Sequence, residues 1–395
     1  MLKSLCVILA GAVVLAVALA PLEADDPVST SVSFNREIIR IIQRKCEPCH
    51  APGGLAVSFS DYRDARAWGR AIREELVEHR MPPAIVARGY GRYESDPSLN
   101  AREMATFLTW LDGGMPRGDE ADRPPKTLAA DALGDLEGGT SIRLSLPAQD
   151  VPAGEDLVIR RVTIDAGAAA GRAVARVQFR PGNRRVLRGA LVFAAGSPVA
   201  GNGPAPAFAA TASAGKEAGH YVPIENAQWI GGWLPWQHAV VPPAPYAFHL
   251  PAPASLVVEL YYRGAESELT DRSAIDLSFA PEAARGRIDD VVVDAIDRTT
   301  ARIRGGVQLS QPTTVWAIYP AVDASVTSME LRAERPDTSV EVLLWIPDAR
   351  ADWPLAIVMQ EPVSLPAGST VSLVAETDAS GGAAARARVT LSVLR

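Results

Sequence analysis

The sequence predicts a multidomain protein in which a small all-α domain is followed by two all-β sandwiches in tandem. Between about residues 30 and 120, apolar residues recur at three- and four-residue steps, as on the buried faces of helices. From residue 140 onward the pattern changes to short alternating strands separated by Gly and Pro turns. Residues 121–139 are rich in Asp, Pro, Ala and Gly and are predicted to be a linker. A chain of 395 residues has room for two or three domains, here predicted at 30–120, 140–284 and 285–395.

The first helical segment leads into a motif that carries chemistry. Cys46-Glu47-Pro48-Cys49-His50 is a C-x-x-C-H sequence, the attachment signature of c-type haem. Two thiols on one turn can add to the two vinyl groups of one porphyrin, and the following His becomes the proximal iron ligand. A zinc site would need a second Cys or Cys/His pair, and a thioredoxin-like site would need a strand–helix pattern; neither follows here. The motif predicts one covalent haem c held by Cys46, Cys49 and His50.

A methionine in a stiff loop is the candidate for the sixth iron ligand. The helix predicted over Asp61–Arg80 ends at Arg80-Met81-Pro82-Pro83, where two prolines stop the helix and restrict the backbone. Met81 is therefore predicted to bind the haem iron opposite His50, a ligand pair that favours electron transfer. A core Met is the alternative role for Met81. The other candidate ligands are His79, Met104 and Met115.

The helical part resembles a small class I cytochrome c domain. The resemblance depends on the C-x-x-C-H motif together with Phe34-Asn35, Arg80-Met81-Pro82-Pro83, Leu99-Asn100 and the stretch Trp110–Asp119. It covers about ninety residues and implies haem ligands at His50 and Met81. The sequence departs from the pattern at Ala84, where an aromatic residue commonly follows Met-Pro-Pro.

The N-terminus predicts an exported protein, and the net charge argues against a nucleic-acid partner. Lys3 precedes an apolar run, Leu5 to Leu19, which is followed by small residues and Asp25-Asp26, the arrangement of a secretory signal peptide predicted over residues 1–24. The mature chain is therefore predicted to be exported, periplasmic or otherwise extracytoplasmic, with no membrane span after cleavage. A net charge of −7 argues against a nucleic-acid partner.

The tail is predicted to contain strands such as Leu187–Phe193, Ser255–Tyr262 and Thr314–Tyr319, with a break between its two sandwiches near Pro281–Arg287. Its aromatic stretch, which contains Trp229 and Trp233, is predicted to be a long loop packed on the sandwich. Two groups of basic residues are predicted to form a solvated strand edge: Arg184-Arg185 and Arg188. His220, His238 and His249 lack the close spacing of a metal site.

The tail is similar, more faintly, to the tandem jelly rolls of copper type II ascorbate-dependent monooxygenases, the family of peptidylglycine hydroxylating monooxygenase. The matching stretches occur in the expected order: Pro181-Gly182-Asn183, Gly231–Pro235, Leu256–Tyr262, Val315–Pro320 and Leu365–Ser369. The resemblance implies copper ligands where this chain has Arg188-Gly189, Tyr261, and Ala321 with Asp323. Copper needs imidazole or thioether ligands, so copper is not expected and the resemblance implies the fold without the chemistry.

The sequence favours an exported electron-transfer protein whose β tail docks it to a redox partner protein of unknown identity. No catalytic residues are predicted, because no nucleophile elbow, phosphate loop or carboxylate pair is present. One alternative is a haem-coupled oxidoreductase, similar to a monooxygenase, with its site in the β domains. A third is a haem sensor or scaffold in which the redox domain regulates the tail.

Overall fold

The computed structural model describes residues 30–83, 86–87, 89–125, 140–196, 203–204, 224, 226–237, 239–280, 284, 286–297, 301–323, 325–350, 353, 356–378 and 385–395. The predicted signal peptide, most of the predicted linker, Ala84, His220 and His238 lie outside these residues. The α-helices among the described residues precede residue 125 and the strands follow residue 140, where one 3₁₀ turn, Gly167–Ala169, lies between strands. Most of the described chain forms β sandwiches, as the sequence predicts, and helices make a small share.

The helical region, residues 30–125, begins with one continuous helical run built from four short pieces: Phe34–Ile38, Ile39–Ile41, Ile42–Cys46 and Glu47–His50. Three helices and a 3₁₀ turn follow: α1 (Tyr62–Ala67), α2 (Gly69–Val77), α3 (Ala101–Asp112) and Glu120–Asp122. The single helix predicted over Asp61–Arg80 is thus two helices that meet at Trp68. Asn100 caps α3 and forms a capping box with Glu103, which satisfies two backbone donors at that end.

The helical region has a hydrophobic core of its own. Ile38 and Ile42 of the first run pack with Phe107 and Trp110 of α3, and all four side chains are buried. The indole Nε1 of Trp110 also donates to the Pro116 carbonyl at 3.0 Å. Since each such side chain contributes about 1.5–3 kcal/mol on burial, this core fixes the run that carries the C-x-x-C-H motif.

The tail consists of two sandwiches. Its strands among the described residues are β1 (Ser141–Ser145), β2 (Gln149–Val151), β3 (Val158–Asp165), β4 (Ala173–Arg180), β5 (Leu187–Ala195), β6 (Gly203–Pro204), β7 (Ala227–Trp233), β8 (Tyr246–His249), β9 (Ser255–Tyr262), β10 (Leu269–Asp271), β11 (Ala274–Phe279), β12 (Gly286–Asp297), β13 (Arg302–Gln308), β14 (Thr313–Val322), β15 (Val326–Glu334), β16 (Val340–Ile346), β17 (Ile357–Leu365), β18 (Thr370–Thr377) and β19 (Ala385–Leu394). The first sandwich packs sheet β6-β3-β9-β5-β7 against β1-β11-β4-β8, and the second packs β13-β18-β15-β16 against β12-β19-β14-β17.

A parallel pairing joins the two sandwiches. Gly286 and Arg287 of β12 pair with Tyr246 and Ala247 of β8, so that two four-stranded halves become one eight-stranded sheet, β1-β11-β4-β8-β12-β19-β14-β17. Aromatic residues of β14 also enter the first core, where Trp316 lies 5.9 Å from the ring of Phe248. The two sandwiches of the tail therefore share one continuous sheet.

The aromatic stretch predicted as a loop contains strand β7, which corrects that prediction. β7 pairs antiparallel with β5, with Trp233 opposite Ala190. Its Gly231 lies so close to Val177 of the facing sheet that an added Cβ would come within 2.7 Å of the valine side chain. Glycine here permits close approach of the two sheets, which a pattern-based analysis takes for a turn signal.

A connecting segment, residues 86–94, of which 86–87 and 89–94 are described, joins the helical region to the second sandwich. Tyr93 forms an antiparallel bridge with Met359, and the Glu94 amide donates to the Val358 carbonyl at 2.8 Å. The Tyr93 hydroxyl donates to the Leu343 carbonyl at 2.9 Å, which anchors the side chain against the second core. This segment extends the edge of β17 and fixes the helical region on the tail.

Candidate functional site

Cys46 and Cys49 lie at the end of the first helical run. Cys46 closes the piece Ile42–Cys46 and Cys49 belongs to Glu47–His50, so the two thiols are one turn apart on a continuous helical backbone. Both cysteines are free of disulfide bonds. Burial raises the pKa of each thiol to about 12, which favours the protonated form at neutral pH.

The loop after His50 holds its imidazole in a fixed orientation. The Nδ1 atom lies 2.7 Å from the Val57 carbonyl oxygen, and the ring stacks on Phe59 at 4.3 Å. The loop can fold back this closely because Gly54 lies over the Cys49 carbonyl oxygen, which an added Cβ would approach within 2.7 Å. With Nδ1 donating to a carbonyl, Nε2 retains the lone pair that a metal requires. Burial lowers the pKa of His50, which favours the neutral, ligating imidazole.

Met81 lies on the loop after α2, away from the C-x-x-C-H turn in sequence. Its amide donates to the Glu75 carbonyl at 3.2 Å, which anchors the loop to α2. The side chain is 43% exposed and lines a cleft of about 700 Å³ between α2 and the loop that follows β16. On the tail side this cleft is lined by Arg350 and Trp353, among others. Cys46, Cys49 and His50 are not among the described residues that line it.

The other methionines predicted as alternatives are occupied in packing. Met104 and Met115 both pack against the core of the helical region. The sulfur of Met115 lies over Gly69, so close that an added Cβ would approach it within 2.4 Å. Met81 is thus the candidate thioether that faces a cleft instead of the helical core, whereas His79 also lines this cleft and remains a possible ligand.

The residues in this part of the structure fit a covalently attached haem. The two unpaired thiols precede a His whose Nδ1 is hydrogen-bonded and whose Nε2 is available, the donor set that such a group needs. Among the described residues, no group of three or more His, Cys, Asp or Glu side chains is arranged to hold a bare metal ion. None of the helices in the described ranges is long and apolar enough to cross a bilayer.

Arg188 is not part of a solvated edge, which corrects the prediction from its neighbours. Arg185 is exposed, as predicted, but the side chain of Arg188 is only 9% exposed. Its guanidinium lies 5.0 Å from the centre of the Trp353 ring. Its charge also acts on the Cys49 thiol, where it opposes the effect of burial on the pKa. No local pattern indicates this placement, because Arg188 resembles the exposed Arg185 in its sequence context.

The tail positions where the monooxygenase resemblance implies copper ligands hold structural contacts. Tyr261 pairs with Gly189 across β5 and β9, and its hydroxyl donates to Glu259 at 3.2 Å. Glu259 forms a buried ion pair with Arg161, whose Nε lies 3.1 Å from the carboxylate. Asp323 accepts the Arg386 amide at 2.8 Å and so connects the end of β14 to the start of β19. These side chains have roles in the fold.

A second cleft, of about 440 Å³, lies between the two sandwiches, and sequence analysis did not find it. Trp229 and His249 line it from the first sandwich, and Asp290, Tyr319 and Arg388 line it from the second. Desolvation raises the pKa of Asp290 to about 7, although hydrogen bonds from Ser392 and Gln228 act in the opposite direction. A carboxyl that titrates near neutrality in a cleft is a mark of functional sites and also of strained structural ones.

We expect Asp290→Asn to change how stability depends on pH. The folded protein holds the Asp290 proton up to about pH 7, whereas the unfolded chain releases it near pH 4, so the free energy of unfolding falls across this window as pH rises. The asparagine variant should lose this fall and be more stable than the parent above pH 7, by roughly 1–4 kcal/mol at about 1.4 kcal/mol per pKa unit. Urea unfolding from pH 4 to 8 measures it, with Asp289→Asn as the matched control. Parallel pH profiles for Asp290→Asn and the parent would contradict the assignment.

Comparison with known proteins adds little to this description. No family model matches the chain, and no curated protein matches it. Among solved structures, the chain is similar to the major capsid protein P2 of bacteriophage PM2, at 10% identity over 65% of this chain and 97% of that one, with a TM-score of 0.25. It is also similar to PNGase F, a glycosylasparaginase from Flavobacterium meningosepticum, at 10% identity over 64% and 96% of the two chains, with a TM-score of 0.29. TM-scores of this size carry no argument about function.

Proposed function

We propose that this protein is an exported c-type cytochrome that carries one covalent haem and transfers electrons to or from a redox partner protein. The observation that carries the proposal is the arrangement at residues 46–50: two free thiols one helical turn apart, followed by a His whose Nδ1 is fixed by the Val57 carbonyl. The signal peptide predicted from the sequence of residues 1–24 supports it, because covalent haem of this type is assembled outside the bacterial cytoplasm.

The chain's own residues would perform distinct tasks in this role. A bound haem supplies reversible one-electron transfer at its iron. Each of Cys46 and Cys49 would add its sulfur to one vinyl group, with the thiol proton passing to the neighbouring vinyl carbon, so that no oxidant is needed. His50 would bind the iron through Nε2, and the Val57 hydrogen bond would hold the imidazole in the ligating tautomer.

Met81 is proposed as the distal ligand. Its side chain faces a cleft, whereas Met104 and Met115 pack in the helical core. The loop that bears it is anchored to α2 through the Glu75 carbonyl, which limits the ways in which the thioether can move. Ligation by Met and His raises the reduction potential and suits a carrier of electrons.

The β tail is proposed to be a docking platform, with a tandem jelly-roll fold that lacks copper ligands. The connecting segment 86–94 supports this role, because its backbone pairing with β17 fixes the helical region to the second sandwich. The contacts of Tyr261 and Asp323 support it as well, since both side chains are committed to the fold. A platform of this kind presents the redox group to a partner in one orientation.

Metal analysis of the purified mature protein tests the proposal against the monooxygenase-like alternative. We expect one iron per chain, present as haem, and no stoichiometric copper after titration under reducing and oxidising conditions. Tight binding of one or two copper ions, with ascorbate-dependent hydroxylation of a substrate, would instead establish an enzyme. The cytochrome proposal is wrong if the protein contains no haem when it is produced in a host that has haem-attachment machinery.

A further inference from the structure

Arg188 is a buried cation that the tail directs toward the helical region. It follows Leu187 at the start of β5, and Gly189 pairs with Tyr261 across the irregular register there. Only 9% of the Arg188 residue is exposed, so most of it is removed from water. A charged group this deeply buried is costly to maintain, so its position is determined by specific neighbours.

One of those neighbours is Trp353, on the loop after β16 of the second sandwich. The guanidinium carbon lies 5.0 Å from the ring centre, within the range of a cation–π interaction. Trp353 in turn contacts Trp236, with the ring centres 5.5 Å apart. Residues from both sandwiches therefore hold the guanidinium in place.

Two observations relate the guanidinium to the proposed haem-binding residues. Its charge acts on Cys49, whose thiol pKa it lowers against the larger effect of burial. In addition, Trp353 lines the cleft that Met81 faces. The geometry that places the arginine near the proposed site is therefore its stacking on Trp353, one aromatic ring away from the cleft that Met81 lines.

We propose that Arg188 is a positioning residue through which the β tail raises the reduction potential of the haem. This inference rests on the proposed function. A ferric haem carries one more positive charge than a ferrous one, so a fixed cation nearby disfavours the ferric state. Because the guanidinium is buried, little water or salt screens this effect. Burial and local charge are among the means by which a protein sets the potential of a haem.

A redox titration of the full-length haem-bearing protein tests the proposal. We expect Arg188→Gln to change the equilibrium constant for one-electron reduction about tenfold in favour of the oxidised form, a potential about 59 mV lower. Arg188→Lys retains the charge and should keep most of the parent potential, which a purely structural role would not predict. Arg185→Gln removes an equal charge three residues away on the exposed surface and should leave the potential unchanged.

The outcomes separate this inference from the proposed function. If the Arg188→Gln and Arg185→Gln proteins bind haem and have equal potentials, the inference is wrong and the cytochrome proposal stands. If the unsubstituted protein carries no haem, both are wrong. Should Arg188→Gln fail to fold, Trp353→Leu gives a second measurement: it removes the aromatic face that orients the guanidinium and should lower the potential in the same direction. An unchanged potential in that variant would overturn the inference.

Discussion

The double variant Cys46→Ala/Cys49→Ala is expected to lose covalent haem completely. Each thiol supplies one thioether bond, and Cys6 is the remaining cysteine of the sequence. The parent should keep its haem through denaturation and electrophoresis, where haem-dependent peroxidase activity stains the protein band. The double variant should show no stained band, even where His50 binds noncovalent haem before denaturation.

The matched control is Cys6→Ala, which removes the remaining cysteine and lies in the predicted signal peptide. It should stain as strongly as the parent per unit of protein. Each single variant at Cys46 or Cys49 should retain one thioether bond and a reduced stain. Haem that separates from the parent polypeptide in acid and organic solvent would show that the attachment is not covalent, whatever the variants do.

Met81→Ala is expected to have the largest effect on the redox properties. Loss of the thioether leaves the iron with a weaker or solvent-derived sixth ligand, which stabilises the ferric state. We expect a hundredfold or greater change in the reduction equilibrium, roughly 120 mV at about 59 mV per tenfold. The weak charge-transfer band that sulfur-ligated ferric haem shows at the red end of the visible spectrum should disappear in the same variant.

Met104→Leu and Met115→Leu are the controls for this experiment. Both side chains pack in the helical core, and leucine is of similar volume, so each change should cost less than about 1.5 kcal/mol of stability and leave the band in place. Retention of the band in Met81→Ala, with its loss in one of these variants, would transfer the distal role to that methionine. A His79→Ala variant that alters the spectrum while Met81→Ala does not would point to bis-His ligation.

The helical region and the tail are joined by contacts that link distant parts of the sequence. The Tyr93 hydroxyl donates to the Leu343 carbonyl, and the charge of Arg188 lowers the pKa of Cys49, so residues of both sandwiches act on the helical region. An isolated helical region would lose the cation and the edge pairing together. The proposed haem properties should therefore be measured on the full chain.

Local patterns in the sequence predicted the local elements well. Strand Ser255–Tyr262 has the predicted bounds, because a run of β-branched and aromatic residues between turns specifies a buried strand by itself. The helical run through Cys46 and the cap at Asn100 also depend on residues within a few positions of each other. The chemistry of the C-x-x-C-H motif belongs to this class, since all its groups lie on one helical turn.

Some elements differ from the sequence-based prediction, and in β7 and β12 contacts with another strand override the local signal. Gly231 reads as a turn but lies in β7, because the facing Val177 leaves no room for a side chain. Trp68 interrupts what reads as one helix over Asp61–Arg80. Strand β12 contains Asp289, Asp290 and Asp294, which are poor strand formers, and its ten-residue pairing with β19 compensates for them.

The sequence by itself determined the position of the two thiols and the histidine, the change from helices to strands, and the end of α2 before Pro82-Pro83, because each depends on neighbours along the chain. Only the tertiary structure decided that Arg188 is buried against Trp353 while Arg185 remains exposed, that residues 92–94 pair with β17, and that Asp290 faces a cleft between the sandwiches. These features join residues that are distant in the sequence: Arg188 and Trp353 are 165 positions apart, Tyr93 and Met359 are 266 apart, and Trp229 and Asp290 are 61 apart. Their burial and charge depend on how whole sheets pack. A local pattern of side chains holds no information about such distances, whereas the continuous eight-stranded sheet and the shared cores fix them.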